Sequence, residues 1–491
     1  MKLSHLLSQA RVGARLWGDA EIGGVAIDSR RVTPGALFVC MPGMTRDSQS
    51  FLPAAAENGA TAAMVYDEAG REAAIALGLA AVQVDDYDDT VWRICDAFFD
   101  HPTRQMKVVG VTGTNGKTTT AWLLRDILAH LGMKAGYLGT LGFKLPDETR
   151  ELPNTTPFAV DLYNLLAEAR DKGIEALAME VSSHALAQKR VDGVEFDAAV
   201  FTNLTQDHLD YHGTMAEYEA AKWRLFTELP AQSSKAFRAA FNIDDAVGLR
   251  WSERFDGPLS YGIDNPSAIL LGKPAEVGVD RIRLTVREGD TRKEFVTSLG
   301  GSYNVYNLMS AVAGARCLDI PLGYISLAAS GLHAVPGRFE PVLNDQGIGI
   351  LVDYAHTPDA VEKLLEAVRP LTDGRVITVF GCGGDRDRAK RPLMARAASE
   401  RSDLTVVTSD NPRTEDPAAI LQEVVSGIAP GRSYVAIQDR GEAVAHAVLA
   451  AHPGDVVVIA GKGHENYQII GREKIHMDDR ELARAALGER L

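Results

Sequence analysis

Cysteine is scarce in this 491-residue sequence, and none of the four, Cys40, Cys95, Cys317 and Cys382, belongs to a CxxC pair. Such spacing argues against a zinc site or a disulfide framework and predicts a reducing, cytoplasmic setting. Also missing is any apolar run of 18 residues, and the opening Met1-Lys2-Leu3-Ser4-His5-Leu6-Leu7 gives way to Ser8 and Gln9 too soon for a signal-peptide core. Neither membrane insertion nor export is expected. A basic excess is lacking as well: the formal net charge of -15 sets the overall field against nucleic acid and anionic membranes. Any anionic ligand must be held by local basic groups.

What is present is the balance of a globular protein, with 46% hydrophobic and 24% charged residues. Cores stop growing at roughly 250–300 residues, so the chain should split into several domains. Short strand-like pieces, Leu37-Phe38-Val39-Cys40 and Ala62-Ala63-Met64-Val65-Tyr66, alternate with Ala-rich helical stretches up to the boundary-like His101-Pro102. Val108-Val109-Gly110-Val111 then runs into a glycine-rich loop, followed by a helical pattern from Thr119 to Leu131. Strand, loop and helix follow in the order a phosphate loop needs. Further strands at Ala176-Leu177-Ala178-Met179 and Ala198-Ala199-Val200-Phe201 predict a parallel sheet covered by helices.

The segment from His333 to Arg338 resembles a linker. Beyond it, four apolar runs each end in a polar cluster: Asp353-Tyr354-Ala355-His356, Gly381-Cys382-Gly383-Gly384-Asp385-Arg386, Ser409-Asp410-Asn411-Pro412-Arg413, and Gly461-Lys462-Gly463-His464-Glu465. In open α/β sheets ligands bind beyond the carboxyl ends of the strands, so these clusters predict one binding edge. The expected fold is α/β with three domains at 1–101, 102–334 and 335–491, the central one a P-loop ATPase domain and the last Rossmann-like.

Gly113-Thr114-Asn115-Gly116-Lys117-Thr118 has the Gly-Lys-Thr ending of a P-loop. Backbone N–H groups there surround phosphate oxygens, the lysine offsets their charge and the hydroxyl binds magnesium. A strict Walker A match would place glycine where Val111 stands. Glu180, directly after a strand, is placed for a Walker-B-like carboxylate, and His208 ends another strand at the same edge. Met215, Tyr218, Lys222 and Leu225 share one helical face, which puts Lys222 on the apolar side. Such a lysine either snorkels to water or, if buried, becomes a neutral amine able to react with carbon dioxide. Arg386 and Arg413 follow two strands of one sheet, where planar guanidinium groups can clamp a carboxylate.

Together these residues resemble the Mur ligases. The likeness runs nearly end to end, through Asp28-Ser29-Arg30, the Gly113 to Thr119 loop, Asn154-Thr155-Thr156-Pro157, Glu180 to His184, Asn203 to His212, the Lys222 helix, Tyr303 to Asn307, Gly337-Arg338-Phe339-Glu340 and all four strand-end clusters. The resemblance implies ATP and Mg2+ as cofactors, with Thr119, Asn304, Asn307, Arg338, Asp353 and His356 joining the loop around the nucleotide. It implies Ile27, Ser29, Met44, Thr45, Arg46, Asn154, Thr155, Thr156, Ser182, Gln188 and Arg190 around UDP-N-acetylmuramoyl-L-alanyl-D-glutamate. Lys117, Glu180, His208 and Lys222 become the catalytic group, with Thr118, Glu180, His208 and Lys222, the last as a carbamate, toward magnesium. Arg386, Asp410, Asn411, Pro412, Arg413, Gly461 and Glu465 match positions that hold meso-2,6-diaminopimelate. The implied protein is a cytoplasmic monomer; the alternatives are a lysine-adding member of the family, a folylpolyglutamate-synthetase-like ligase and a noncatalytic nucleotide-binding regulator.

Overall fold

Strands covered on both faces need apolar residues at nearly every position, and the computed structural model builds its sheets from such runs. It describes residues 1–42 and 47–490, so the expected contacts of Met44, Thr45 and Arg46 lie outside the described residues. The chain divides into two compact units, residues 1–261 with 310–321, and residues 262–309 with 322–491.

The first unit holds a five-stranded sheet in the order Ala14–Trp17, Ala80–Val84, Ala62–Val65, Ala36–Val39, Gly24–Ala26, parallel except for its first strand. A second sheet runs Leu259–Gly262, Arg238–Asn242, Ala198–Phe201, Lys107–Thr112, Ala176–Glu180, Ala135–Gly139 in parallel, then turns antiparallel through Gly142–Leu145 and Glu148–Arg150. One apolar cluster joins both sheets, with helix Tyr87–Phe98 packed on helix Ala159–Asp171. The strand that feeds the phosphate loop sits mid-sheet between Ala198–Phe201 and Ala176–Glu180, so the three strand ends adjoin.

The second unit contains an antiparallel ribbon, Leu270–Val277, Ile282–Glu288 and Thr291–Thr297, and a six-stranded sheet. That sheet runs Glu340–Pro341, Gly349–Asp353, Val456–Ala460, Val376–Cys382, Leu404–Ser409, Tyr434–Ala436, and only the first strand is antiparallel. The four strands expected from the sequence are therefore its four central neighbours, and their polar clusters share one edge. Helix Ser302–Cys317 begins in the second unit and ends in the first.

All four cysteines are buried. No described helix is long and apolar enough to cross a membrane.

One buried ion pair braces the binding edge of the six-stranded sheet. Arg440 and Asp479 are fully buried and meet in two hydrogen bonds, Nε to Oδ1 at 2.6 Å and Nη2 to Oδ2 at 2.7 Å. Arg440 also donates to Ser409 O at 3.2 Å and Ala460 O at 3.1 Å, tying two strand ends together. Removing one partner would leave an uncompensated buried charge, so Asp479→Ala is expected to lower the unfolding free energy by about 3–5 kcal/mol. Replacing both residues with apolar ones should recover much of that loss, read as urea midpoints of the three variants.

Candidate active site

The phosphate loop has the geometry its glycines allow. Gly113 lies at φ +150 and a side chain there would meet Thr202 Oγ1 at 1.9 Å, while Gly116 lies at φ +85 at the head of helix Lys117–His130. The first N–H groups of a helix have no intrahelical acceptor, which makes this end a natural anion seat. The loop is held from outside: Thr114 N donates to Asn203 O at 2.8 Å and Asn115 N to Asn203 Oδ1 at 3.0 Å. Lys117 folds back over the loop, its Nζ on Gly113 O at 3.0 Å and Thr114 O at 2.8 Å.

Thr118, in the first turn of that helix, donates its hydroxyl to Glu180 Oε2 at 2.9 Å. Glu180 is fully buried and also accepts from Tyr137 OH at 2.5 Å and Thr140 N at 2.8 Å, both through Oε1. A hydroxyl and a carboxylate are hard oxygen donors that suit magnesium. Among the described residues no group of three or more His, Cys, Asp or Glu side chains is placed to hold a metal.

His208 adopts a left-handed backbone, φ +52, and its ring lies 4.8 Å from His184 and 6.1 Å from Tyr218. His212 completes the group and bonds Ser183 Oγ at 2.9 Å. Burial lowers all three imidazoles, His184 to about 4 with help from its two neighbours' charges. A neutral imidazole keeps a lone pair for a ligand bond.

Lys222 does not snorkel. The helix Met215–Trp223, started by a Thr214–Glu217 capping box, turns it inward to 1% exposure. Its Nζ donates to Gly113 O at 2.8 Å and lies 4.5 Å from the centre of the Tyr218 ring. Burial lowers its pKa well below the ordinary lysine value; the charge of Lys117 adds to the shift and Asp207 opposes it.

The next group of expected residues is drawn together beside Glu180. Thr156 Oγ1 donates to Glu180 O at 2.8 Å and accepts from Ser182 N at 3.1 Å, and the hydroxyls of Thr155 and Thr140 meet at 3.0 Å. Arg190 donates to Thr156 O at 3.0 Å and to Gln188 Oε1 at 2.8 Å. A cavity of about 570 Å³ adjoins this group, with Arg31, Arg150, Asn154, Pro157 and Asp161 in its wall. Arg31 pairs with Asp161 at 2.9 Å, which ties the segment of Ile27 and the buried Ser29 to the cavity wall.

In the second unit Asn304 and Asn307 are buried and bonded to each other at 2.8 Å. The Arg338 guanidinium stacks over Tyr354, 4.8 Å from the ring centre, and its buried Nε has no hydrogen-bond partner among the described residues. Asp353 accepts from Phe339 N at 2.7 Å and Ala355 N at 2.8 Å; burial raises its pKa, against the pull of Arg338. His356 bonds Tyr354 O through Nδ1 at 2.8 Å.

Arg386 is exposed, while Arg413, at φ +52, donates to Gly384 O at 2.8 Å. Asn411 spends its amide within the protein, giving Nδ2 to Glu465 Oε2 at 2.9 Å and receiving Ile469 N at 3.0 Å on Oδ1. Lys462, fully buried, reaches Asn411 Oδ1 at 3.2 Å and Glu465 Oε2 at 3.4 Å. Asp410 is buried beside Gly461, where a side chain would meet its Oδ2 at 2.9 Å, and the ring of Pro412 is buried next to it. Tyr137, Thr140 and Lys462 were not anticipated from sequence. The signal available was Lys462 flanked by two glycines at a strand end, and Tyr137 and Thr140 at the close of a strand neighbouring Glu180.

A phosphate loop backed by a buried carboxylate, on an α/β fold, defines a P-loop nucleotide-binding protein. The chain matches the Mur ligase family catalytic domain over residues 21–98, the Mur ligase middle domain over 111–315 and the Mur ligase glutamate ligase domain over 337–463. It is 46% identical over 492 residues to the UDP-N-acetylmuramoyl-L-alanyl-D-glutamate--2,6-diaminopimelate ligase of Gloeobacter violaceus, covering 100% of this chain and 99% of that one. The Geobacillus thermodenitrificans protein of the same name is 44% identical, with 100% of both chains covered. A solved structure of a ligase of that name superposes with a TM-score of 0.68 at 32% identity, over 95% of each chain. The chain belongs to the Mur ligase family.

The buried amine of Lys222 has a measurable consequence. An unfolded lysine titrates near 10.5 and the buried one well below it, so between those values the unfolded chain holds the extra proton and stability rises with pH. Lys222→Met should therefore stabilise the protein near pH 7 in carbon-dioxide-free buffer. The gain should vanish as pH approaches 10.5; urea denaturation across that range measures it.

Proposed function

We propose that the protein joins meso-2,6-diaminopimelate to the D-glutamate γ-carboxylate of UDP-N-acetylmuramoyl-L-alanyl-D-glutamate, using ATP and Mg2+. The relatives' shared name supports this substrate pair. The observation that carries it for this chain is Arg413 seated beside the gap at Gly383, where a side chain would meet Arg413 Nη1 at 2.8 Å and Arg386 Cγ at 3.9 Å. The Arg413 guanidinium at this small space, with the aliphatic stem of Arg386 bordering it, suits a carboxylate, which diaminopimelate has at its distal end and lysine lacks.

Chemically, the γ-phosphoryl group of ATP passes to the glutamate carboxylate, giving ADP and an acyl phosphate. The amine of the incoming amino acid attacks the acyl carbon, inorganic phosphate leaves with the bonding pair, and the nitrogen loses a proton as the amide forms. Lys117 moves from its own loop's carbonyls onto phosphate oxygens and offsets their growing charge. Thr118, Glu180 and His208, with Lys222 as a carbamate, would hold magnesium, which supplies charge neutralisation at the phosphates. The loop with Gly113, Thr114, Asn115, Gly116 and Thr119 holds the phosphates, with Asn304, Asn307, Arg338, Asp353 and His356 toward the rest of the nucleotide. Ile27, Ser29, Asn154, Thr155, Thr156, Ser182, Gln188 and Arg190 bind the UDP-muramoyl-dipeptide; Arg386, Asp410, Asn411, Pro412, Arg413, Gly461 and Glu465 bind diaminopimelate. We assign residues 1–101 to the nucleotide-sugar, 102–334 to ATP and 335–491 to the amino acid, in a monomeric cytoplasmic enzyme.

Phosphate release should require both the UDP-muramoyl-dipeptide and diaminopimelate, with L-lysine slower by roughly 10–100-fold, because lysine brings no carboxylate for the Arg413 guanidinium to pair with. Equal turnover with lysine would move the assignment to a lysine-adding ligase. Lys222→Ala should abolish phosphate release, and added short carboxylic acids should restore part of it by replacing the carbamate; a fully active variant would exclude the carbamate.

A further inference from the structure

The two loops that carry Arg386 and Arg413 are joined far more tightly than two neighbouring strand ends require. Gly384 N donates to Asn411 O at 2.9 Å, and a side chain on Gly384 would strike Pro412 O at 1.9 Å, so the two backbones touch. Asp385, at φ +53, turns the first loop just before Arg386, and Thr414 closes on it: Thr414 Oγ1 donates to Asp385 Oδ1 at 2.8 Å and Thr414 N to Asp385 Oδ2 at 3.2 Å. Glu415 closes from beneath, accepting Asp385 N on Oε1 at 2.5 Å.

Glu415 is itself fixed by Arg391, a side chain at 1% exposure in helix Lys390–Arg401. Arg391 gives Nη2 to Glu415 Oε1 at 2.8 Å and to Gly383 O at 3.2 Å, and Nη1 to Glu415 Oε2 at 3.0 Å and Glu423 Oε2 at 2.7 Å. One buried guanidinium therefore grips both loops. The arginine ends themselves are lightly held: among the described residues Arg386 bonds Asp385 O at 3.3 Å, and Arg413 bonds Gly384 O and Asn411 O. Arg413 thus reaches across onto a carbonyl of the other loop, so the separation of the two loops decides what the pair can clamp.

We propose that Glu415, anchored through Arg391, and Thr414, anchored on Asp385, are positioning residues that set the separation of Arg386 and Arg413 and so select an amino acid with a distal carboxylate. The inference rests on the diaminopimelate reading above, and it extends selectivity from the arginines to the staple beneath them. Glu415→Gln keeps the shape but loses the charge that holds Arg391 and one of two equivalent acceptors. Thr414→Val removes the hydroxyl from an exposed site without touching the buried pair.

The test is steady-state phosphate release by the full chain, varying each substrate in turn, with thermal unfolding measured alongside. Both variants should raise the KM for diaminopimelate by about tenfold, leave the KM for ATP and for the UDP-muramoyl-dipeptide and the saturated kcat within about twofold, and narrow the ratio of diaminopimelate to lysine use. If wild type prefers diaminopimelate and both variants keep its KM and the full preference, the positioning role is overturned while the substrate reading stands. Equal loss with every substrate alongside a lowered unfolding temperature also overturns it, since that is what a merely structural brace would do. A wild type with no preference for diaminopimelate over lysine defeats the substrate reading and the proposal together.

Discussion

Two lysines meet on one backbone oxygen. Lys117 and Lys222 come from different helices, and both donate to Gly113 O, at 3.0 and 2.8 Å. This convergence exists only because Gly113 lacks a side chain that would strike Thr202 and takes a backbone conformation which other residues rarely adopt. Around it the sheet supplies the rest: the neighbouring strand ends deliver Glu180 on one side and Asn203 on the other. The Lys117 ammonium and the buried Lys222 amine share this neutral acceptor at close range, and the positive charge of Lys117 suits the negative charge that nucleotide phosphates bring.

Most of this centre is legible in the sequence because parallel strands covered by helices cannot hide. Val108-Val109-Gly110-Val111 and Val376 to Phe380 are continuous apolar runs, and the polar residues that follow each run mark the ligand edge. Helical spacing also puts Lys222 on the apolar face. Its fate there is decided by tertiary packing against Tyr218 and the loop, which spacing cannot express. The antiparallel ribbon of residues 270–297 was not anticipated: its strands carry charged residues outward over much of their length, and only positions such as Ile282, Leu284 and Val286 alternate inward.

The polar braces are the part that sequence conceals. Arg391 is written into a helix rich in charge, Lys390-Arg391-Pro392, and reads as solvent-facing, yet it is buried with partners 24 and 32 positions away. Arg440 behaves alike, with a partner 39 positions off. Such residues have no period and no local partner, so they emerge only when the fold closes. In this second unit the sheet sets where the ligand edge lies, and the long-range ion pairs set how rigidly its loops are offered.

The buried cysteines finally give the protein a practical property. Burial raises every thiol, Cys40, Cys317 and Cys382 each to about 12 and Cys95 further, so at neutral pH almost no thiolate exists to react. The native chain is thus a silent background for thiol-directed probes. A cysteine introduced on an exposed loop would be the dominant reactive site, and a fluorophore or spin label placed there would report from one position without first stripping the natural thiols.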